Sequence, residues 1–156
     1  MNKIAVIRIR GKTGIRKDIS DTLKILHLFN KYHCIIVDNK PSYVGMIKKV
    51  KDYITWGEIN KESLKLLLEK RGRLPCKKHL TKEYLEKTTK KDFDKFSEDM
   101  LNSKTSFNEI EGLKPFFRLK PPEGGFERKG IKKPFSIGGA LGYRKENINQ
   151  LIKKMI

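Results

Sequence analysis

The sequence has little of what several classes of protein require. Its 156 residues include 2 cysteines, Cys34 and Cys76, which belong to no paired motif. A scaffold held together by disulfides is therefore excluded, and a reducing compartment is expected. No apolar run approaches the roughly 20 residues that cross a bilayer, and the first residues already show a strand-like pattern. We therefore expect neither a signal peptide nor a transmembrane segment.

Acidic residues are also scarce in comparison with basic ones. The chain has 36 Lys and Arg against 18 Asp and Glu, a formal net charge of +18. Such a surplus opposes compaction by self-repulsion unless a polyanion neutralises it. Nucleic acid is the expected partner, ahead of an anionic membrane surface. Lysines outnumber arginines 28 to 8, which favours neutralisation of phosphates over the reading of base edges.

No arrangement of residues indicates catalysis. Gly11-Lys12-Thr13 resembles the end of a phosphate-binding P-loop, but Val6 stands where that motif needs its first glycine, so we interpret the triplet as a basic turn. The possible zinc ligands lack zinc-site spacing; they are His27, His33, Cys34, Cys76 and His79. No cluster of carboxylates suits a metal-dependent nuclease. We predict no enzyme activity, cofactor, metal or small-molecule substrate.

Charge divides the chain into three parts. Residues 1–80 carry 19 basic and 7 acidic side chains, and residues 112–156 carry 11 and 3. Residues 81–111, the central segment, carry 6 and 8 and have a helical pattern. A binding face should concentrate charge of one sign. We therefore expect nucleic acid to meet the two flanking parts.

Hydrophobic periodicity predicts the order of the elements. The first 58 residues fit β-α-β-α-β, with strands over 4–10, 33–38 and 53–56. Asp18 or Ser20 could cap the first helix and Ser42 the second, and Asn60, Thr81 and Thr89 are predicted to cap three helices that follow. Residues 112–142 hold 7 of the 12 glycines and 4 of the 6 prolines, which predicts a long loop with one or two short strands. A C-terminal amphipathic helix should pack back on the rest. We divide the chain into a core, 1–58, and an extension, 59–156.

Three basic clusters stand out. One joins Arg8 to Lys17 across the turn after the first strand, and another surrounds Pro75 with Arg71, Arg73, Lys77 and Lys78. The longest, 124–144, combines glycines, cations and aromatic rings, which permit close backbone approach, phosphate neutralisation and base stacking. For each phenylalanine, as for Tyr53 and Trp56, packing in the core is expected ahead of stacking on bases.

Three stretches carry a resemblance to a known family. They are RIRGKTGIRKDISDTLKILHL at 8–28, NKPSYVGMIKKVKDYITWGEI at 39–59 and KKPFSIGGALGYRKENINQLIKKMI at 132–156, with PPEGGF at 121–126. The sequence resembles the large-subunit ribosomal protein L30 family in its longer archaeal form, the relative of the eukaryotic protein L7. One departure is Lys145, where the family's turn usually has glycine.

The resemblance implies a fold and a role. The fold is α+β and ferredoxin-like: a small three-stranded, mainly antiparallel sheet with the first strand central and helices on one face, joined to a helical and loop-rich extension. The role is that of a structural constituent of the large ribosomal subunit, a cytoplasmic ribonucleoprotein component in translation. The implied partners are ribosomal RNA and neighbouring ribosomal proteins, without catalysis. The alternatives are an RNA chaperone or ribosome assembly factor of the same fold and, less favoured, an RNA-modifying or RNA-cleaving enzyme.

The resemblance and the basic clusters together predict which residues bind RNA. The predicted RNA-facing cations are Arg8, Arg10, Lys12, Arg16, Lys17, Lys48, Lys49, Arg128, Lys129, Lys132, Lys133 and Arg144. Gly11, Gly14, Gly138, Gly139 and Gly142 are predicted to shape the turns for close backbone approach.

Overall fold

A computed structural model describes residues 3–156 of the chain, apart from the side chain of Lys77. It contains eleven helices and strands within that range, and four single 3-10 turns lie in the connections between them. These are β1 Lys3–Arg8, α1 Lys17–Ile25, β2 His33–Asp38, α2 Pro41–Lys49, β3 Ile54–Glu58, α3 Lys61–Arg71, α4 Lys82–Thr89, α5 Phe93–Leu101, β4 Phe117–Arg118, β5 Gly142–Tyr143 and α6 Ile148–Met155. None of the helices in this range is long and apolar enough to cross a membrane.

The strands form one sheet with β1 at its centre. The order is β4-β2-β1-β3-β5. β1 is antiparallel to β2, with Ile7 opposite Cys34, and antiparallel to β3, with Arg8 opposite Ile54. The extension adds β4 antiparallel to β2 and β5 parallel to β3. The predicted α+β fold with a central first strand is confirmed, and each edge of the three-stranded sheet gains a two-residue strand.

Both faces of β1 are covered. Ile4 and Val6 pack with α1 and α2, whereas Ala5 and Ile7 pack with side chains of α3 to α6. Successive side chains of a strand point to opposite faces of the sheet. A strand covered by helices on both faces therefore carries apolar side chains on both faces. α1 and α2 are the layer that the family resemblance implied. The extension supplies the second layer and buries β1 along its whole length.

Two of the predicted helix caps are confirmed, whereas α1 and α2 begin without a side-chain cap in the described part of the chain, so the predictions for those two helices are wrong. The Asn60 side chain accepts a hydrogen bond from the main chain of Ser63 at 2.9 Å, and Thr81 accepts one from Tyr84 at 3.4 Å. The prediction for Thr89 is wrong. Its hydroxyl donates to the carbonyl of Leu85 within the last turn of α4, and Asp92 caps α5 instead.

The C-terminal helix packs back on the sheet, as predicted. Its apolar side chains join the cluster beneath α3. A Cβ on Gly57 of β3 would lie 2.0 Å from the carbonyl oxygen of Lys145, so only glycine permits this close crossing. Lys145 itself adopts a left-handed backbone with φ 51°, a conformation that glycine favours. The Asn149 side chain then bonds the main chain of Glu58 at 2.9 Å and of Asn60 at 3.0 Å.

Candidate nucleic-acid interface

Strand directions bring the two main basic clusters to one end of the sheet. β1 ends where β2 and β3 begin, because both neighbours are antiparallel to it. β5 is parallel to β3, with Gly142 opposite Thr55, so it begins at the same end. The turn after β1, the C-terminus of α2 and the loop before β5 therefore meet there. We call this region the basic end, its two loops being the first turn (9–16) and the late loop (127–141).

Arg8 organises the first turn from inside the protein. The residue is 3% exposed, and its guanidinium donates to main-chain carbonyls on both sides. The acceptors are Arg10 at 2.9 Å, Gly11 at 2.8 Å, Leu28 at 2.7 Å and Phe29 at 3.2 Å. Burial lowers the pKa of Arg8 from its ordinary value. The expectation that this side chain reaches outward is therefore corrected, because its donors hold the loop backbone.

The other cations of the first turn lie towards solvent. The Arg10 guanidinium lies 4.9 Å from the centre of the Tyr53 ring and donates to the carbonyl of Asp52 at 3.2 Å. Lys12, Arg16 and Lys17 are exposed. Arg16 also approaches the Asp18 carboxylate at 3.4 Å. This loop, together with Lys17 at the start of α1, thus presents four cations above a backbone to which Arg8 is hydrogen-bonded.

The glycines and the neighbouring helix complete this side of the basic end. Gly14 has a φ of +68°, a conformation that favours glycine. A Cβ on Gly11 would lie 3.0 Å from Cε of Lys31, an exposed lysine before β2 that we did not predict. Nothing in the periodicity around Lys31 distinguishes it from an ordinary surface lysine. Lys48 and Lys49 are exposed at the C-terminus of α2, which leads into β3 at this end.

Arg144 organises the late loop in a similar way. It is 2% exposed, and it forms a bidentate ion pair with Glu127, in which Nη2 lies 2.7 Å from Oε2. Nε donates to the Thr55 hydroxyl at 2.8 Å, and Nη2 donates to the carbonyl of Ala140 at 2.9 Å. The guanidinium lies 4.6 Å from the centre of the Phe135 ring. Like Arg8, Arg144 faces inward, so here too the outward orientation that we expected is corrected.

The Arg144 contact determines the ionisation of Glu127. Partial burial acts to raise the pKa of Glu127, but hydrogen bonds from Arg144 and the main chain oppose it, and the net shift is downward. Glu127 is therefore ionised at neutral pH. A bidentate pair with both charges present fixes the two ends of the late loop to each other and to β3.

The remaining backbone of the late loop is closely packed. A Cβ on Gly139 would lie 2.1 Å from the carbonyl oxygen of Lys133, which excludes any other residue there. Gly138 and Gly142 have φ values of 89° and 85°. Main-chain bonds join Ala140 to Gly130 at 3.1 Å and Leu141 to Lys133 at 3.2 Å. On this frame four cations are exposed: Arg128, Lys129, Lys132 and Lys133.

Most aromatic side chains of residues 112–144 pack within the protein, as expected. Phe117 is buried, Phe126 stacks on Tyr32 with ring centres 6.3 Å apart, and Phe135 lies under Arg144. Tyr143 differs, since it is 47% exposed beside Trp56.

Known proteins resemble this chain over nearly its whole length. Residues 4–54 match the model of the family described as Ribosomal protein L30p/L7e. Three archaeal proteins, each named large ribosomal subunit protein uL30, are similar over nearly the full chain. The protein of Methanopyrus kandleri is 46% identical over 95% of this chain and 100% of its own length. Those of Methanococcus vannielii and Nanoarchaeum equitans are 49% and 48% identical over 97% of this chain, and 98% and 97% of their own lengths.

The chain belongs to the ribosomal protein L30 family. This membership confirms the predictions of a structural constituent of the ribosome, of a cytoplasmic ribosomal location and of a protein that is not an enzyme. Within residues 3–156, no three His, Cys, Asp or Glu side chains are grouped so that they could share a metal ion.

Unlike the basic end, the central segment carries several carboxylates that form ion pairs with lysines of the protein itself. Its carboxylates form ion pairs with nearby lysines, including Lys65 with Asp94 at 2.7 Å and Lys91 with Asp99 at 2.5 Å. Ionic hydrogen bonds from these lysines lower the pKa of both aspartates. α5 packs on α3 through buried Phe93 and Phe96. Three carboxylates of this segment, Asp94, Glu98 and Asp99, are thus paired with lysines of the protein itself.

Proposed function

We propose that this member of the L30 family binds ribosomal RNA of the large subunit through the basic end. The single observation that carries the proposal is the convergence of exposed cations from three separate segments at one end of one sheet. The proposed contact residues are Arg10, Lys12, Arg16, Lys17, Lys48, Lys49, Arg128, Lys129, Lys132 and Lys133. Cations gathered in this way release counterions from a folded RNA and allow its phosphates to lie close together.

Arg8 and Arg144 have a different role in this proposal. Each is a positioning residue, whose donors are used by the protein backbone or by Glu127. They determine where the exposed cations of the two loops lie. Glycines at 11, 14, 138, 139 and 142 allow the loops to fold tightly, which brings the backbone itself close to the RNA.

The test is the salt dependence of RNA binding by the full chain. The probe is deproteinised ribosomal RNA from archaeal large subunits. The triple variant Lys129→Gln, Lys132→Gln, Lys133→Gln is expected to bind at least about tenfold more weakly and to reduce the slope of log K against log salt by about 2 to 3, since each phosphate contact contributes about 0.7 to 0.9.

A matched control removes the same charge elsewhere. Lys87, Lys95 and Lys104 are exposed in the central segment, so their triple replacement by Gln also lowers the net charge by 3. If the two triple variants lose affinity and slope equally, binding follows net charge alone and the proposal is wrong.

Cosedimentation with mature large subunits then separates a resident constituent from an assembly factor, which would be absent from the mature particle.

A further inference from the structure

A second cationic site lies away from the two loops, at the edge of the sheet beside β4. It is a pocket of about 200 Å³ lined by Arg71, Arg73, Lys114, Phe116 and Arg118. We call it the β4 pocket. Four of these five residues are cations, and the lining contains no carboxylate among residues 3–156. A concave site with charges of one sign attracts the opposite charge more strongly than a flat surface does.

Distant parts of the chain build this pocket. Arg71 is the last residue of α3, and the chain then turns sharply at Gly72, where a Cβ would lie 2.4 Å from the carbonyl oxygen of Leu68. The main chain of Lys114 donates to the carbonyl of Arg73 at 3.0 Å. Arg118 is held opposite His33 in the sheet. The cations therefore project from a helix, from a strand and from hydrogen-bonded main chain, and not from free loops.

Stacked aromatic rings support one side of the pocket. Phe116 stacks on His33 with ring centres 4.8 Å apart, and Phe29 meets Phe116 edge-on at 5.8 Å. The Arg118 guanidinium lies 5.9 Å from the centre of the Phe116 ring. This packing supports Phe116 from two sides and places the Arg118 guanidinium beside its ring.

One donor at the pocket lacks an acceptor. The Arg71 guanidinium donates through Nη2 to the main-chain oxygen of Ile156. Its Nε is buried and has no hydrogen-bond partner within the part of the chain that the structure describes. Buried donors in native proteins are nearly always paired. Arg71, which lines the pocket, thus has one donor that its described protein neighbours do not use.

We propose that the β4 pocket binds a backbone phosphate of ribosomal RNA, as an anchoring point separate from the two loops of the basic end. The inference rests on the proposed function. A phosphate offers several charged acceptor oxygens, which suits guanidinium and ammonium donors converging from three sides. The pocket is smaller than the roughly 300 to 1,000 Å³ of typical small-molecule sites, which fits one phosphate group of a longer chain.

The variant that tests the inference leaves the backbone contacts intact. Lys114→Gln with Arg118→Gln removes two cations, whereas Arg71, which bonds the main chain, is unchanged. The double variant Lys95→Gln, Lys104→Gln is the control of equal charge. With the same ribosomal RNA, we expect the pocket variant to bind about tenfold more weakly than the control and to reduce the salt slope by about 1.

The pattern of results separates the two hypotheses. If the late-loop variant loses affinity and the pocket variant behaves as its control, the inference is wrong and the proposed function stands. If neither differs from its control, both are wrong. Selective losses in both variants support both.

The source of the phosphate is tested with the arginine side-chain resonances. In the ¹⁵N-labelled full chain, the Arg71 Nε–H signal should shift with a short oligouridylate at concentrations at least about tenfold below those needed for inorganic phosphate, because further contacts along the RNA add to the phosphate contact. Equal concentrations, or a shift with inorganic phosphate alone, would identify a general anion site and overturn the assignment to RNA.

Discussion

The two loops of the basic end are each built around one buried arginine, but the two arginines are neutralised differently. Arg8 on the central strand donates to four main-chain carbonyls. Arg144, which follows the edge strand β5, uses the carboxylate of Glu127 together with one hydroxyl and one carbonyl. Carbonyl acceptors do not titrate, whereas a carboxylate does. Acid should therefore not disturb the hydrogen bonds that Arg8 makes in the first turn. The late loop, in contrast, depends on the ionised side chain of Glu127.

The largest expected effect comes from breaking the first turn. Arg8→Met leaves four main-chain carbonyls, one in a buried and three in partly buried hydrogen bonds, without this donor, and we expect the free energy of unfolding to fall by about 4 kcal/mol. Arg10→Met is the control, because Arg10 lies partly exposed over Tyr53 and should cost about 1 kcal/mol or less. Urea unfolding of both variants measures the difference. Equal losses would show that the carbonyl cluster does not determine the stability of this turn.

A smaller effect is expected at the late loop. Arg144→Met leaves Glu127 half-buried without its partner, and we expect a loss of about 3 kcal/mol. Glu127→Gln keeps an acceptor oxygen for the guanidinium, so the expected loss is about 1 to 2 kcal/mol. Urea unfolding gives both values. A greater loss for Glu127→Gln than for Arg144→Met would mean that the ion pair is not what holds the loop.

The smallest effect is the one that separates the two loops by pH. The pKa of Glu127 is lowered in the folded protein, so its contribution is complete above the unfolded pKa of about 4.3. It disappears as the pH falls through the folded value. The stability difference between the natural chain and Glu127→Gln should therefore shrink between pH 6 and pH 3.

The control for this prediction is the first turn. The difference between the natural chain and Arg8→Met should keep its size over the same pH range, because no carboxylate contacts that guanidinium in the described structure. Urea unfolding at each pH provides both curves. Parallel curves for the two variants would refute the distinction between the loops.

Local sequence patterns were sufficient to predict much of the fold. The three core strands, the Asn60 cap and the amphipathic α6 follow from periodicity and from short-range hydrogen bonding, which act over a few residues. Thr89 was assigned wrongly as a cap because a hydroxyl serves equally well inside a helix, where it bonded Leu85. The choice between these two uses depends on where the chain turns at Lys90, which local composition does not determine.

The β4 pocket shows what such patterns miss. Arg71 and Arg73 belong to a basic run in the sequence, but Lys114 and Arg118 lie about forty residues further along the chain. Only the pairing of β4 with β2 and of Lys114 with Arg73 brings them together. The unpaired Nε of Arg71 has no signature in the sequence at all.

By itself the sequence determined the surplus of positive charge, its concentration on both sides of the central segment, and the order of the main elements, because these depend on composition and on neighbours within a few turns. The tertiary structure alone decided that Arg8 and Arg144 turn inward while the cations around them stay outside. In the sequence, nothing distinguishes those two residues from the other arginines in a basic run. Their burial required acceptors from distant segments, as when Arg144 donates to the Thr55 hydroxyl, and such contacts form only once strand direction and register are set.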